Sequence, residues 1–303
     1  MDSAIQINDI KKSYDSIAAV DGVSFDVPIN KVFGLVGPDG AGKTTLIRIL
    51  CGLIDPDSGT GTILGKDMNT EKNKIKNDIG YLSQKFSLYA DLSIDENIEF
   101  FAEIHGVKDY KKRREVLLEF TRLTKFRKFL AGKLSGGMKQ KLALACTLIH
   151  RPKIIFLDEP TTGVDPVSRR DFWKILSELH NEGVTILIST PYMDEAERFD
   201  RIAMLNKGKI LSSDTPTSIK KSMNKIILEI HCANLRNAYK VLSKDSDYEL
   251  QLFGDRIDIA ADDYETDSKK IKELLSSEKI EIEDIRTKPV SLENVFIHLL
   301  KSA

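Results

Sequence analysis

The chain has 303 residues, 45 Lys and Arg against 46 Asp and Glu, and a formal net charge of −1. That balance argues against nucleic acid as the main partner, while the length allows two domains with separate cores. Cys51, Cys146 and Cys232 lie far apart, with the spacing of neither a zinc site nor a disulfide framework, which fits a reducing, cytosolic setting. The first residues lack the apolar core of a signal peptide. No apolar run approaches the roughly 20 residues that span a bilayer, so a soluble chain with no direct membrane span is expected.

In chain order, residues 32–36 form an apolar run that reads as a buried strand, and residues 45–50 read as a helix. Between them Gly37-Pro38-Asp39-Gly40-Ala41-Gly42-Lys43-Thr44 fits G-x-x-x-x-G-K-[ST], with Thr45 next. Glycines let backbone N–H groups turn inward around an anion, and the helix N-terminus adds partial positive charge. Lys43 is expected to reach the β- and γ-phosphates, and the Thr44 hydroxyl to ligate Mg²⁺. This arrangement implies a nucleoside triphosphate site.

Ser93 and Glu96 fit an S-x-x-E capping box, so a helix is expected to start there. The basic run at residues 108–114 reads as a solvated helix face, and His105 as a surface or capping residue. Leu134-Ser135-Gly136-Gly137-Met138 precedes a strongly helical stretch, making a second Ser-capped, glycine-bearing helix N-terminus. A single triphosphate does not need two such sites from one chain. The second makes sense if it serves the nucleotide of another subunit, which implies a dimer. Residues 154–159 form an apolar strand ending in Asp158 and Glu159. A buried parallel strand delivers side chains at its C-terminal edge. There Asp158 is placed to hold Mg²⁺ through water and Glu159 to polarise an attacking water. Phe172, Trp173, Ile175, Leu176 and Leu179 follow at helical spacing and read as core. Strand 184–189 ends in Thr190-Pro191, with Pro191 in the first turn of a helix over 192–199, where Asp194 and Glu195 suit the helix dipole.

Composition shifts over residues 212–225, and a domain boundary is expected near Lys225. Beyond it the pattern is strand 226–231, helix 235–242, strands 248–253 and 256–260 joined by Phe253-Gly254-Asp255-Arg256, helix 268–275 and strand 280–286. This β-α-β-β-α-β order predicts a small α+β, ferredoxin-like domain over 226–303. It carries no catalytic constellation, so a regulatory or dimer-bracing role is expected.

The run LSGGMKQ followed by IIFLDEP resembles the signature and Walker B pair of ATP-binding-cassette (ABC) ATPases, over about the first 220 residues. The resemblance implies an α/β P-loop NTPase cassette over 1–225, with a mixed sheet core and a helical subdomain at about 85–134, using ATP and Mg²⁺. By the same resemblance Tyr14 stacks on adenine, and Gln84 touches Mg²⁺ and water and relays to a membrane partner. Ser135, Gly136 and Gly137 meet the partner's ATP, and Asp165 lies in the loop that crosses the dimer interface. Residues 86–106 resemble cassettes of the drug, antibiotic and polysaccharide export type, and residues 291–296 the C-terminal tail of drug-exporter cassettes. The implied partners are integral membrane subunits, docked at the helical subdomain, and a second cassette, identical or different, at the inner face of the membrane. The sequence departs from the family pattern at Asp39 (commonly Asn), Met138 (often Gln) and Pro191, where a switch histidine normally stands. Proline offers neither donor nor acceptor. Either hydrolysis is slow, with Glu159 and the backbone sufficing, or the site is degenerate beside a competent one. An ATP-dependent clamp is a further alternative. Soluble ribosome- or DNA-remodelling cassettes usually carry two cassettes or coiled-coil arms, and neither appears here.

Overall fold

The computed structural model describes residues 2–85, 88–244 and 248–302. They form two compact units, one ending at Thr215 and the other starting at Pro216. In the first unit β1 (Ser3–Tyr14) and β2 (Ile17–Pro28) make a hairpin, and β3 (Val32–Val36) leads into α1 (Lys43–Leu50). Strands β4 (Ser58–Ile63) and β5 (Lys66–Asp67) complete an antiparallel sheet in the order β2-β1-β4-β5. After α2 (Lys72–Lys76) and β6 (Ile79–Leu82) come three helices, α3 (Ile94–Ile104), α4 (Tyr110–Phe120) and α5 (Gly136–Leu148). The chain returns through β7 (Ile154–Asp158), α6 (Pro166–Asn181), β8 (Thr185–Thr190), α7 (Met193–Ala196), β9 (Arg201–Asn206) and β10 (Lys209–Asp214).

The second sheet has the order β10-β9-β3-β8-β7-β6, parallel except for β10 at one edge. Every residue of β7 and β8 is buried, because a parallel sheet covered on both faces leaves no solvent side and needs a continuous apolar run. One core joins both sheets, with Phe25 of β2 stacked on Phe33 of β3 at 4.9 Å. Strand β8 lies between β3 and β7, so the C-terminal ends of all three open at one edge.

The expected capping box is present: Glu96 N–H donates to Ser93 Oγ at 3.3 Å and Ser93 N–H donates to Glu96 Oε2 at 2.7 Å. One turn on, the fully buried Asn97 amide donates to the carbonyls of Tyr89, Leu92 and Ser93 and accepts from Tyr89 N–H. It ties down the segment that enters the helical subdomain; Phe86 and Ser87, part of the exporter-like stretch, lie outside the described residues. Phe172, Trp173 and their neighbours are core, as expected. Three expectations need correction. The helix after Pro191 is only α7, with Tyr192 at its N-cap, so Pro191 precedes the helix instead of starting it. The basic run is not wholly solvated, since Arg114 lies 3.7 Å from buried Asp95 and Arg113 donates to Leu148 O. The boundary falls before residue 216, not at Lys225, because α8 (Pro216–Ser222) buries Ile219 within the second unit.

The second unit continues through β11 (Ile226–Cys232), α9 (Leu235–Leu242), β12 (Glu249–Leu252), β13 (Ile257–Ala261), α10 (Tyr264–Ser277), β14 (Ile282–Lys288) and α11 (Leu292–Ser302). Its antiparallel sheet runs β12-β13-β11-β14, the ferredoxin-like order. Alternation puts Leu228, Ile230, Ile257 and Ile259 in a core with Ile271 and Leu275 of α10. On the opposite face Glu229 accepts from Arg286 at 2.6 and 3.0 Å, meets the His231 ring at 3.1 Å and faces Arg256 at 3.2 Å.

Two outcomes are expected. Asn97→Ala leaves several buried backbone groups without partners and should destabilise the first unit by ~2–3 kcal/mol, read as a lower thermal midpoint. Arg286, and then His231, hold the Glu229 carboxyl down to about 2 from 4.5. A depressed carboxylate stabilises the fold fully above its ordinary range and loses that contribution as pH falls through it. Protection of the β11 and β13 amides, measured against their intrinsic exchange rates at each pH, should therefore fall between pH 4.5 and about pH 2, and Glu229→Gln should flatten the dependence.

Candidate active site

The loop between β3 and α1 is gripped from both sides. Gly37 N–H donates to Thr190 O at 3.3 Å, and Gly208 N–H, in the β9–β10 turn, donates to Ala41 O at 3.0 Å. Gly42 takes a left-handed φ of 102°, and a Cβ there would lie 2.2 Å from Ala19 O of β2. No other residue fits that position. No side chain caps α1, which leaves its first-turn N–H groups for an anion. The loop lines a cleft of about 680 Å³, with residues 16–19, 39–45, Gln84, Glu159 and Lys207 around it. Pro38, Asp39 and Gly40 are exposed at its mouth, whereas Lys43 is buried. The Lys43 ammonium donates to Gly37 O at 2.8 Å and Pro38 O at 2.9 Å and pairs with Glu159 Oε1 at 3.1 Å.

The carboxylates at the end of β7 are held from three elements. Asp158 Oδ1 accepts from Thr44 Oγ1 at 3.0 Å and from Ser189 Oγ at 2.7 Å. Its Oδ2 is buried without a protein partner. Glu159 leaves the strand with a left-handed φ of 48° and donates its N–H to Ser189 Oγ at 2.9 Å. Its carboxylate lies between Lys43 and Gln84, whose amide donates to Oε2 at 3.0 Å. A buried cation, two carboxylates, a hydroxyl and an amide thus converge at a helix N-terminus, a set suited to binding a polyphosphate and orienting water on it.

Lys43, Thr44, Gln84, Asp158 and Glu159 come together as expected, and Thr45 lines the same cleft. Tyr14 ends β1, 46% exposed, under the Lys12 ammonium and outside the cleft lining. Ser135 and Gly136 also lie outside it, exposed at the start of α5, where Met138 N–H donates to Ser135 Oγ. Asp165 caps α6 by accepting from Ser168 N–H at 2.9 Å, which holds its carboxyl below the usual range. Gly137 packs so closely on Ser168 that a Cβ would lie 2.3 Å from its Oγ, setting the starts of α5 and α6 side by side.

Sequence reasoning missed three residues. Lys207 reaches the cleft from a tight turn whose Asn-Lys-Gly-Lys pattern points only to a turn. Ser189 looked like one more position of an apolar strand. Glu195, expected to favour a helix dipole, is buried and accepts from Thr161 and Thr190 hydroxyls, both at 2.7 Å. A separate groove of about 270 Å³ is lined by Cys51, Tyr81, Phe101, His105, Cys146 and His150. His105 caps α3 as expected and also stacks on His150 at 3.9 Å, burial keeping both imidazoles below their ordinary pKa. Burial pushes the Cys51 and Cys146 thiols up, which makes them inert core residues. Gly42→Ala should weaken ATP binding at least ~10-fold, or ~1.4 kcal/mol, with unchanged circular dichroism; a fluorescent-nucleotide titration checks this.

Comparison with known proteins agrees with this geometry. A family model described as ABC transporter matches residues 20–162. The probable multidrug ABC transporter ATP-binding protein YbhF of Escherichia coli (strain K12) is 40% identical over 221 residues, covering 72% of this chain and 38% of YbhF. The chain thus matches well under half the length of that relative. The daunorubicin/doxorubicin resistance ATP-binding protein DrrA of Streptomyces peucetius is 33% identical over 98% of this chain and 92% of its own. Among solved structures, the dimeric post-hydrolysis state of the ATP-binding cassette MJ0796 bound to ADP and Pi superimposes with a TM-score of 0.64. It is 26% identical and covers 70% of this chain and 98% of its own. Cleft, motifs and relatives agree: the chain belongs to the ABC transporter family.

Proposed function

We propose that this chain binds and hydrolyses ATP between two cassettes and so drives export through separate membrane-spanning subunits. One observation carries the reading: the hydrolytic groups converge in one cleft, while a second glycine-bearing helix start, with Ser135 and Gly136 exposed and Gly137 buried behind them, lies outside it. Facing pairs of chains would complete each cleft with the other's helix start, and Asp165 beside it would cross the interface. Lys43 neutralises the β- and γ-phosphates, the starting N–H groups of α1 hold them, and Tyr14 meets the adenine. Gln84 and Glu159 orient the attacking water, and Glu159 takes its proton. The Thr44 hydroxyl, Gln84 and the unpartnered Asp158 Oδ2 suit Mg²⁺, an oxygen-seeking ion that would supply charge neutralisation at the phosphates. With Pro191 in the switch position, hydrolysis lacks one charge-stabilising contact, a loss that commonly slows such a step ~10²–10³-fold.

Among the described residues no helix is long and apolar enough to cross a membrane; the reading assigns the membrane path to other subunits and the cassette to the cytoplasmic face. The groove between α3, α5 and β6, apolar at its centre, suits a cytoplasmic helix of such a subunit. The drug-resistance names of the relatives support an exporter. The ferredoxin-like unit braces or regulates the pair.

The deciding experiment measures ATP turnover per chain as protein concentration rises, with Glu159→Gln as the blank. Turnover that climbs with concentration and vanishes in the variant is the expected result. Turnover equal to the blank, with stable ATP-bound dimers, would instead make the chain an ATP-dependent clamp or the degenerate half of a mixed pair.

A further inference from the structure

We propose that Ser189 is a positioning residue of the hydrolytic site, its single hydroxyl holding Asp158 for the metal and Glu159 for the water. The inference rests on the hydrolysis described above. Parallel pairing of β7 with β8 sets Asp158 opposite Ser189, so the two side chains share a sheet face. Ser189 is fully buried, after Ile186, Leu187 and Ile188. Packing alone asks there for another apolar side chain, and a buried hydroxyl needs partners.

A hydroxyl has one proton to give and two lone pairs to accept with, and here both functions are used. Ser189 Oγ donates to Asp158 Oδ1 at 2.7 Å and accepts Glu159 N–H at 2.9 Å. The first bond, with that of Thr44, occupies Oδ1 and leaves Oδ2 as the free acceptor. The second, together with the Ser189 carbonyl that accepts the same N–H at 3.2 Å, holds a glutamate backbone at φ 48°, which a residue with a Cβ adopts only when its surroundings over-determine it. That left-handed turn swings the Glu159 carboxylate out of the strand direction towards Lys43 and Gln84. No neighbour substitutes for Ser189. The Thr190 hydroxyl is committed to Glu195 and to Tyr192 N–H, and Pro191 has none.

The full-length chain tests this with Ser189→Ala, Ser189→Thr, Glu159→Gln and the Glu159→Gln/Ser189→Ala pair. Expected for Ser189→Ala is a kcat about 10- to 100-fold lower with KM for ATP nearly unchanged, the usual size of effect for a residue that orients a ligand. Ser189→Thr should restore most of it, and the double variant, which does not turn over, should bind Mn²⁺ as weakly as Ser189→Ala alone. Independently of turnover, Mn²⁺ titrated into the ATP complex and followed by electron paramagnetic resonance should bind about tenfold more weakly to Ser189→Ala. Parent-like turnover and Mn²⁺ affinity in Ser189→Ala would overturn the proposal. So would equal losses in the Ala and Thr variants, which would mark a packing effect. Parent turnover no higher than the Glu159→Gln blank would count against hydrolysis itself, and the Mn²⁺ titration then decides on Ser189.

Discussion

Strand β8 is hydrogen-bonded to β3 on one side and to β7 on the other, and the arrangement of the cleft follows from that pairing. The register fixes which residues of three strands end level. Val36 stands beside Thr190 and Asp158 beside Ser189, so the glycine loop, the carboxylate pair and the loop carrying Pro191 all leave the sheet at the same height. Parallel strands present their loops at the C-terminal edge, where ligands gather in open α/β sheets. Moving β8 to an edge would take the Thr190 carbonyl from Gly37 and the Ser189 hydroxyl from Asp158 and Glu159.

Charge explains why this edge is built so tightly. A buried ammonium needs compensation from hydrogen bonds and opposite charge. Lys43 obtains it from two carbonyls of its own loop and from Glu159. On the function proposed above, phosphate oxygens would take over these donors and release the Glu159 carboxylate to act on water. Lys43 thus touches both the glycine loop and the Glu159 carboxylate. Asp158, held by two hydroxyls on one oxygen, keeps the other for an ion. Glu195 extends the arrangement outward by bridging Thr161, just past the carboxylates, to Thr190 beside the glycine loop.

Two further surfaces of the first unit lie away from the cleft. The starts of α5 and α6 stand together, exposed, with their capping Ser135 and Asp165. The groove with the stacked His105 and His150 opens between the helical insertion and the sheet. In the second unit the apolar face of the sheet is closed by its own helices, and a charged network on the other face binds Glu229 to Arg286, His231 and Arg256. That network links β11 to β14 and to Arg256 just before β13.

Local chemistry written in consecutive residues was legible from the sequence alone. The strand, glycine loop and helix of residues 32–50, the Ser93–Glu96 cap, the Ser135 cap and the alternating strands of the C-terminal unit each depend on neighbours a few positions apart. Glycine conformation, capping and periodicity act over that range. Gln84 meets Glu159 across 75 positions and Ser189 meets Asp158 across 31, and those contacts exist only once strand order and register are set. The short α7, the early domain boundary and the place of Lys207 in the cleft were decided the same way. Each depends on what packs against a segment in space, a matter of tertiary burial and hydrogen bonding that no local pattern encodes.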